Sequence, residues 1–266
     1  MTRIEKKFQE LKQKKEKALI TFITAGDPDF ESTIQYIQAI EEGGADIIEL
    51  GVPFSDPLAD GPVIQKSALR ALHSGTTLKK IIQMVRRVRE TSSIPIILMS
   101  SFNPIFRYHE EAFVKDAVNS GVDGIIIPDL PPEEAAFMNK LSETAGLNNI
   151  FLLAPTSSED RIQIVSSMSG GFIYYVSLTG VTGTREELAE DLKDNILRIK
   201  NVASQPVAVG FGISTPKHAA FAAETADGVI VGSAIVKIIE NGSKPDQTSN
   251  QIRQFVRSMK DAVKSP

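Results

Sequence analysis

Two carboxylates, Glu49 and Asp60, lie where the sequence predicts the end of a buried strand and the loop that follows it. Glu49 interrupts the apolar run 47–50, so burial should raise the pKa of its carboxyl and suit it to proton transfer near neutrality. Asp60 follows beyond a proline-rich loop, and two carboxylates in different surroundings are typical of an acid/base pair. Two alternatives stay open: a hydrogen-bonded structural Glu49, and an Asp60 that caps a helix starting near Pro62.

Glycines after two later predicted strands form a second candidate site. The stretch Gly210-Phe211-Gly212 follows one strand, and Gly232-Ser233 follows the next and precedes a short predicted helix, 234–239. Such loops let backbone N–H groups approach a phosphate at a helix N-terminus. Because Thr215 replaces the last glycine of a GxGxxG pattern and no acidic ribose ligand is evident, a dinucleotide site is not expected. Purely structural glycines are the alternative.

A third region combines a possible lid with an aromatic side chain. Residues 180–185 are rich in glycine and threonine, as in loops that close over active sites, although a plain surface loop has the same composition. Tyr174 lies in the strand just before this segment. Side chains alternate along a strand, so only one of Tyr174 and Tyr175 can face the candidate site.

The absence of certain residue types argues against several catalytic mechanisms. The chain contains no cysteine, which excludes a thiolate nucleophile or metal ligand. His73, His109 and His218 form no metal-ligand pattern, so no metal is expected. No predicted strand contains the lysine that a Schiff base would need. Carbon–carbon cleavage of a phosphate-bearing substrate would then require a leaving group that accepts a proton and becomes a neutral aromatic, as indole does.

The amino-acid composition and charge indicate the type of protein and argue against some classes of partner. The 266 residues carry a net charge of −4, and 42% are hydrophobic, which is ordinary globular usage and gives no basic surface for nucleic acid. No apolar run approaches the ~20 residues of a membrane helix, and no signal peptide is recognisable. We therefore expect a soluble, cytoplasmic protein without nucleic-acid or membrane partners.

Alternating strand and helix patterns indicate the architecture that positions these groups. Residues 3–17 predict an amphipathic N-terminal helix with Ile4, Phe8 and Leu11 on one face. Helical segments then separate eight apolar runs, which favour one closed (βα)8 TIM barrel over an open doubly wound sheet. We predict a single domain, 1–266, with a polar loop at 241–250 before a last helix from about 249 to 263. The eight predicted strands are 18–24, 45–50, 94–100, 124–128, 150–154, 172–177, 206–210 and 228–231.

Motifs along essentially the whole chain resemble those of the tryptophan synthase alpha family. The most specific is the long stretch Ile48-Glu49-Leu50-Gly51-Val52-Pro53-Phe54-Ser55-Asp56-Pro57-Leu58-Ala59-Asp60-Gly61. The two glycine loops match as well. Shorter matches follow other predicted strands: Thr24-Ala25-Gly26-Asp27-Pro28, Asn103-Pro104, Pro128-Asp129-Leu130-Pro131 and Gly180-Val181-Thr182-Gly183.

The resemblance implies cleavage of indole-3-glycerol phosphate to indole and glyceraldehyde 3-phosphate. It implies that Glu49 is the general acid/base, that Asp60 polarises the indole N1–H and that Tyr174 contacts the substrate. Further roles are implied for a phosphate cradle, aromatic walls and a lid threonine: Gly183, Phe211, Gly212, Gly232 and Ser233 for the cradle, Phe22 and Phe211 for the walls, and Thr182 for the lid. The chain departs from some members at Leu178, where they have arginine, and from many at Ser101-Phe102, where they have paired tyrosines; both departures concern pocket detail.

The resemblance also implies a partner. A beta subunit would carry pyridoxal phosphate, form an α2β2 complex with this chain and pack against the surface of Pro53, Asp56 and Pro57. No cofactor is expected in this chain itself. Two alternatives are an inactive barrel that only activates its partner and a phosphosugar isomerase.

Overall fold

Parallel strands form the centre of the molecule. The computed structural model describes residues 1–57, 60–177, 185–210 and 212–264, with the backbone alone at 185–190. Neighbouring strands pair in the order β5-β4-β3-β2-β1-β9-β8-β7-β6. The strands are β1 (Ala18–Thr24), β2 (Ile47–Gly51), β3 (Ile96–Met99), β4 (Gly124–Ile126), β5 (Asn148–Asn149), β6 (Leu152–Leu153), β7 (Ile173–Val176), β8 (Val207–Gly210) and β9 (Gly228–Val231).

The sheet closes through the two short strands at its ends. β5 and β6 are consecutive in the chain, separated only by Ile150 and Phe151. The Ile150 N–H donates to the Ile125 carbonyl on one side, and the Tyr174 N–H donates to the Phe151 carbonyl on the other. The two pieces therefore act as one barrel strand, and the predicted (βα)8 barrel is confirmed.

Helices surround the barrel and separate its strands. Their apolar faces pack on the outer face of the sheet in one large core cluster. The helices of the described chain are α1 (Arg3–Lys14), α2 (Phe30–Gly43), α3 (Pro62–His73), α4 (Leu78–Val88), α5 (Phe102–Tyr108), α6 (Glu110–Ser120), α7 (Ala136–Ala145), α8 (Glu159–Met168), α9 (Arg185–Val202), α10 (Pro216–Ala223), α11 (Ser233–Asn241) and α12 (Pro245–Lys264). None of these is both long and apolar enough to cross a membrane.

The N-terminal helix closes one end of the barrel. Thr2 and Glu5 form a capping box that fixes the start of α1. Ile4, Phe8 and Leu11 then pack with the inward-facing side chains of the strands, as their spacing predicted. The rings of Phe8 and Phe172 lie 5.7 Å apart between centroids. α1 therefore fills the interior of the barrel at the N-terminal ends of its strands.

One predicted loop is wrong. The polar stretch 241–250 was expected to be irregular, but α12 already begins at Pro245. A proline is favourable in the first turn because its missing N–H would have no helical partner there, and Asp246 complements the helix dipole. The first turn lies on the surface and lacks the apolar periodicity that identifies the rest of the helix.

Candidate active site

Glu49 lies on the inward face of β2, where the barrel supplies only apolar neighbours in register. Its backbone partners are Phe22 on β1 and Ile97 on β3. The residue is 1% exposed, and its Oε1 has no hydrogen-bond partner in the described part of the chain. Burial raises the pKa of the Glu49 carboxyl to about 8. A hydrogen-bonded structural role does not account for this oxygen, and a buried carboxyl with a shifted pKa is a feature that clusters at functional sites.

Tyr174 faces the same interior from the other side of the barrel. It belongs to the inner cluster, whereas Tyr175 packs in the outer one, so Tyr174 is the tyrosine of this pair that faces the barrel interior. Burial, with smaller contributions from the charges of Glu49 and Asp60, raises the pKa of the Tyr174 hydroxyl well above its usual value. Gly210 on β8 leaves room for this ring, because a Cβ there would overlap the Tyr174 hydroxyl.

Asp60 lies at the mouth of the barrel and does not cap the following helix. The N-cap of α3 is Gly61, which offers no side-chain hydrogen bond, so the capping alternative for Asp60 is wrong. The Asp60 backbone is held by two hydrogen bonds: its N–H donates to the Pro57 carbonyl over 3.1 Å, and its carbonyl accepts from the Gln65 side chain over 2.8 Å. The side chain is partly buried, and desolvation raises the pKa of its carboxyl.

A cavity of about 280 Å³ opens at the C-terminal ends of β1 to β4. Phe22 and Asp60 form one part of its lining, while Met99, Ser101 and Asp129 form another. The Phe22 ring lies over the β2 backbone, where a Cβ on Gly51 would come within 2.5 Å of it. This cavity combines a flat aromatic wall with a carboxylate at its edge, which suits a planar ring that carries an N–H.

One of the two predicted phosphate loops, at Gly232, lies beside Phe22. Gly212 has φ +75°, a left-handed conformation that favours glycine. Gly232 is the N-cap of α11 and offers no side-chain hydrogen bond to the N–H groups of the first turn. A Cβ on Gly232 would come 3.3 Å from the Phe22 Cβ. An anion at this helix N-terminus would thus adjoin the aromatic wall of the cavity.

Several predicted residues lie elsewhere or outside the described chain. Thr182, Gly183, Phe211 and Leu178 fall outside the described residues. At the predicted partner surface Pro53 is buried, Pro57 is partly buried and Asp56 is exposed, and all three line the mouth of the cavity. The residues that the structure describes contain no group of acidic or histidine side chains able to hold a metal.

Sequence reasoning missed one ion pair behind the site. Arg70 on α3 donates two hydrogen bonds of 2.8 Å to Asp27, whose side chain is fully buried. The Thr24-Ala25-Gly26-Asp27-Pro28 motif marked Asp27 as notable. Nothing in the local pattern, however, pairs residues so far apart in the chain, and only the packing of α3 on the loop after β1 brings them together.

Fold and site together define a (βα)8-barrel protein with a buried carboxylic acid in its interior and a cavity at the C-terminal ends of its strands. The family model described as "Tryptophan synthase alpha chain" matches residues 8–264. A tryptophan synthase alpha chain from Geobacter sp. strain M21 is 50% identical over 263 residues, covering 99% of this chain and 98% of the relative. One from Geotalea uraniireducens strain Rf4 is 51% identical over 265 residues, covering 100% and 99%.

Solved structures agree with these relatives. Tryptophan synthase subunit alpha from Legionella pneumophila strain Paris superposes with a TM-score of 0.90 at 40% identity, covering 99% of this chain and 98% of that one. A chain of ligand-free tryptophan synthase from M. tuberculosis gives 0.88 at 33% identity and covers 99% of both. The chain belongs to the tryptophan synthase alpha chain family. It is a lyase subunit that cleaves indole-3-glycerol phosphate to indole and glyceraldehyde 3-phosphate.

Proposed function

We propose that Glu49 carries the proton transfers of this cleavage. Its burial and its pKa of about 8 keep most of the carboxyl protonated at neutral pH, which is the form needed to protonate C3 of the indole ring. The resulting indolenine cation accepts the electron pair of the breaking carbon–carbon bond and becomes aromatic indole. The glycerol hydroxyl next to that bond loses its proton to the Glu49 carboxylate and becomes the aldehyde of the second product.

Asp60 and Tyr174 hold the substrate for this step. Asp60 accepts a hydrogen bond from the indole N1–H, and its negative charge stabilises the cation that forms on C3 protonation. Tyr174 positions the substrate beside Glu49, while Phe22 provides the aromatic wall. The electrostatic effect of both carboxylates on Tyr174 supports a shared site.

The phosphate of the substrate binds at the N-terminus of α11. Backbone N–H groups of Gly212, Gly232 and Ser233 form the described part of this cradle, and the resemblance adds Gly183 and Phe211, with Thr182 as a lid residue over Asp60. The left-handed Gly212 and the uncapped α11 support the assignment. Gly212→Leu should weaken binding of glycerol 3-phosphate, because a side chain would crowd the anion and strain the backbone. Calorimetry on the folded variant tests this, and unchanged affinity would place the phosphate elsewhere.

The chain works as one barrel domain, in the cytoplasm, together with a beta subunit in an α2β2 complex. The surface of Asp56 and Pro57, with Pro53 beneath it, receives that partner, which supplies pyridoxal phosphate for the next reaction of indole. This chain needs no cofactor of its own, since acid/base groups suffice for the cleavage. The support is family membership and the exposure of Asp56 at the mouth of the site.

One assay tests the assignment as a whole. Indole release from indole-3-glycerol phosphate is measured with the parent chain, with Glu49→Gln and with Asp60→Asn, each with and without a beta subunit. Both variants should lose most activity in either condition. If both fold and turn over like the parent, Glu49 and Asp60 are not the acid/base pair.

A further inference from the structure

Arg70 connects three segments that surround the site. Its Nε and Nη2 donate hydrogen bonds of 2.8 Å to the two carboxylate oxygens of Asp27, in the loop after β1. Its Nη1 lies 3.4 Å from Oε1 of Glu240, near the C-terminal end of α11. The Asp27 side chain is fully buried, whereas Arg70 is 31% exposed. If the pair broke, water could solvate Arg70, but the Asp27 carboxylate would be left buried without its partner. The planar guanidinium therefore fixes the orientation of α3 relative to both neighbours.

Two further contacts hold α3 along the end of β1. The hydroxyls of Thr24 and Ser67 lie 2.6 Å apart in the buried interior, and the Ser74 hydroxyl donates to the Gly26 carbonyl over 3.0 Å. Because α3 begins at Pro62, immediately after Asp60 and Gly61, the orientation of this helix sets where the Asp60 carboxylate lies over the cavity. A tilt at Arg70 would displace Asp60 without any change in the residues that contact substrate.

We propose that Arg70 is a positioning residue that couples phosphate binding at α11 to the alignment of Asp60. This inference rests on the proposed roles of the α11 N-terminus and of Asp60. α11 is a helix of only 9 residues, so a small shift when an anion binds at Ser233 also moves Glu240 at its other end. A shift of Glu240 displaces the Arg70 guanidinium through their ion pair, and Arg70 in turn displaces α3. Since coupling between two ligands is reciprocal, indole held by Asp60 must favour phosphate binding to the same extent.

Binding of the two halves of the substrate measures this coupling directly. The dissociation constant of glycerol 3-phosphate is determined by calorimetry on the full chain, with and without saturating indole. In the parent we expect indole to tighten glycerol 3-phosphate binding about fivefold or more. Glu240→Gln removes the charge that links α11 to Arg70 but touches neither ligand site. In this variant each ligand alone should bind as in the parent, while the coupling falls close to onefold.

Arg70→Lys and a matched surface variant complete the test. Lysine keeps the charge of Arg70 but loses the two-pronged contact, so kcat should fall about tenfold or more while KM changes much less, as expected for a misaligned catalytic group. The control is Glu31→Gln, which breaks the exposed ion pair between Glu31 on α2 and Arg87 on α4. It should retain both kcat and coupling.

The outcomes separate this inference from the proposed function. Unchanged coupling in folded Glu240→Gln, or a parent that shows no coupling, would overturn the positioning role while leaving the ligand sites intact. A parent that binds neither ligand would instead overturn the site assignments, and the inference with them. A merely structural ion pair would lower the melting temperature of the variants and leave both the coupling and the ratio of kcat to KM effects unchanged.

Discussion

Glu49 is the residue at which the fold and the chemistry conflict. A carboxyl among the apolar side chains of the barrel interior must give up its charge or find a partner, and its Oε1 has no partner in the described structure. The pKa of about 8 is the consequence. An acid that is neutral at pH 7 yet still able to ionise is what protonation of a weakly basic carbon requires.

Replacing Glu49 by glutamine should abolish most cleavage without harming the fold. The amide has nearly the shape of the protonated acid but cannot transfer a proton, so the rate of indole release should fall by about 10²- to 10⁴-fold. Circular dichroism and glycerol 3-phosphate binding provide the controls and should match the parent. A folded variant that cleaves at the parental rate would remove Glu49 from the mechanism.

The same substitution should reveal the raised pKa as a pH-dependent stability difference. The pKa of this carboxyl is about 4.5 in the unfolded chain and about 8 in the folded protein. Between these values the unfolded state releases the proton while the folded state keeps it, so this group lowers the free energy of unfolding as pH rises.

Because the glutamine amide does not ionise, this fall in the free energy of unfolding with rising pH is absent in Glu49→Gln. Its stability relative to the parent should therefore increase between pH 4.5 and 8, by up to ~1.4 kcal/mol per pH unit, and level off above 8. Urea denaturation of both proteins at several pH values measures this difference, in which the titrations of all other groups cancel. A constant difference across this range would mean that Glu49 ionises normally in the folded chain.

Among the strands and helices, the same arrangement of an aspartate with a backbone N–H and a cation recurs at the N-terminal end of the barrel. Asp46, Asp123 and Asp227 each precede a strand, and each carboxylate accepts the N–H of a residue at the start of the neighbouring strand, over 2.8 to 2.9 Å. Each also pairs with a cation: Lys260 with Asp46, Arg89 and Arg3 with Asp123, and Lys200 with Asp227. These clamps fix the register between adjacent strands and attach α12, α4, α1 and α9 to the barrel.

The three clamps should differ in their contribution to stability. Side-chain exposure is 4% for Asp123 and 12% for Arg89, compared with 34% for Asp227 and 28% for Lys200. Removing a partner from a buried pair costs about 3–5 kcal/mol, whereas a partly exposed pair contributes about 1 kcal/mol or less. Asp123→Ala should therefore destabilise the chain far more than Asp227→Ala in guanidinium denaturation. Equal losses would show that the clamps act through their backbone hydrogen bonds alone, and KM should be unchanged in both variants.

Elements with strong local signals were predictable from the sequence. β1 and β9 have the predicted bounds, because runs of buried residues between charged or polar turns leave little choice. α5 was not predicted, since a helix of seven residues with Pro104 in its first turn has too little periodicity. At the site, the burial of Glu49 followed from its strand, whereas the Arg70 pair depends on packing between elements remote in sequence.

In the molecule as a whole, the two ends of the barrel have different roles. α1 and the aspartate clamps lie at the N-terminal end, where the barrel is packed and well paired. Glu49, Asp60, Gly212 and the cavity lie towards the C-terminal ends, as is general for barrel enzymes. A partner that contacts Asp56 and Pro57 at the mouth would therefore lie away from the packed N-terminal end of the barrel.

This arrangement leads to a prediction for the complex with a beta subunit. If the partner packs against Asp56 and Pro57, it favours the state in which Asp60, a few residues further along the chain, is aligned and water is excluded. A tenfold gain in rate needs only ~1.4 kcal/mol of additional transition-state stabilisation. The isolated chain should therefore cleave slowly, and saturating beta subunit should raise the single-turnover rate of indole formation, measured by rapid quench, at least about tenfold.

Asp56→Lys should shift the beta-subunit concentration needed for half-maximal activation, because it reverses a charge at the proposed contact. Asp261→Lys on α12, also exposed but on an outer helix, should leave that concentration unchanged. Weak association by itself would be compatible with the mechanism, because saturation can still be reached. Equal single-turnover rates with and without saturating partner would contradict it, since alignment of Asp60 would then be complete in the isolated chain.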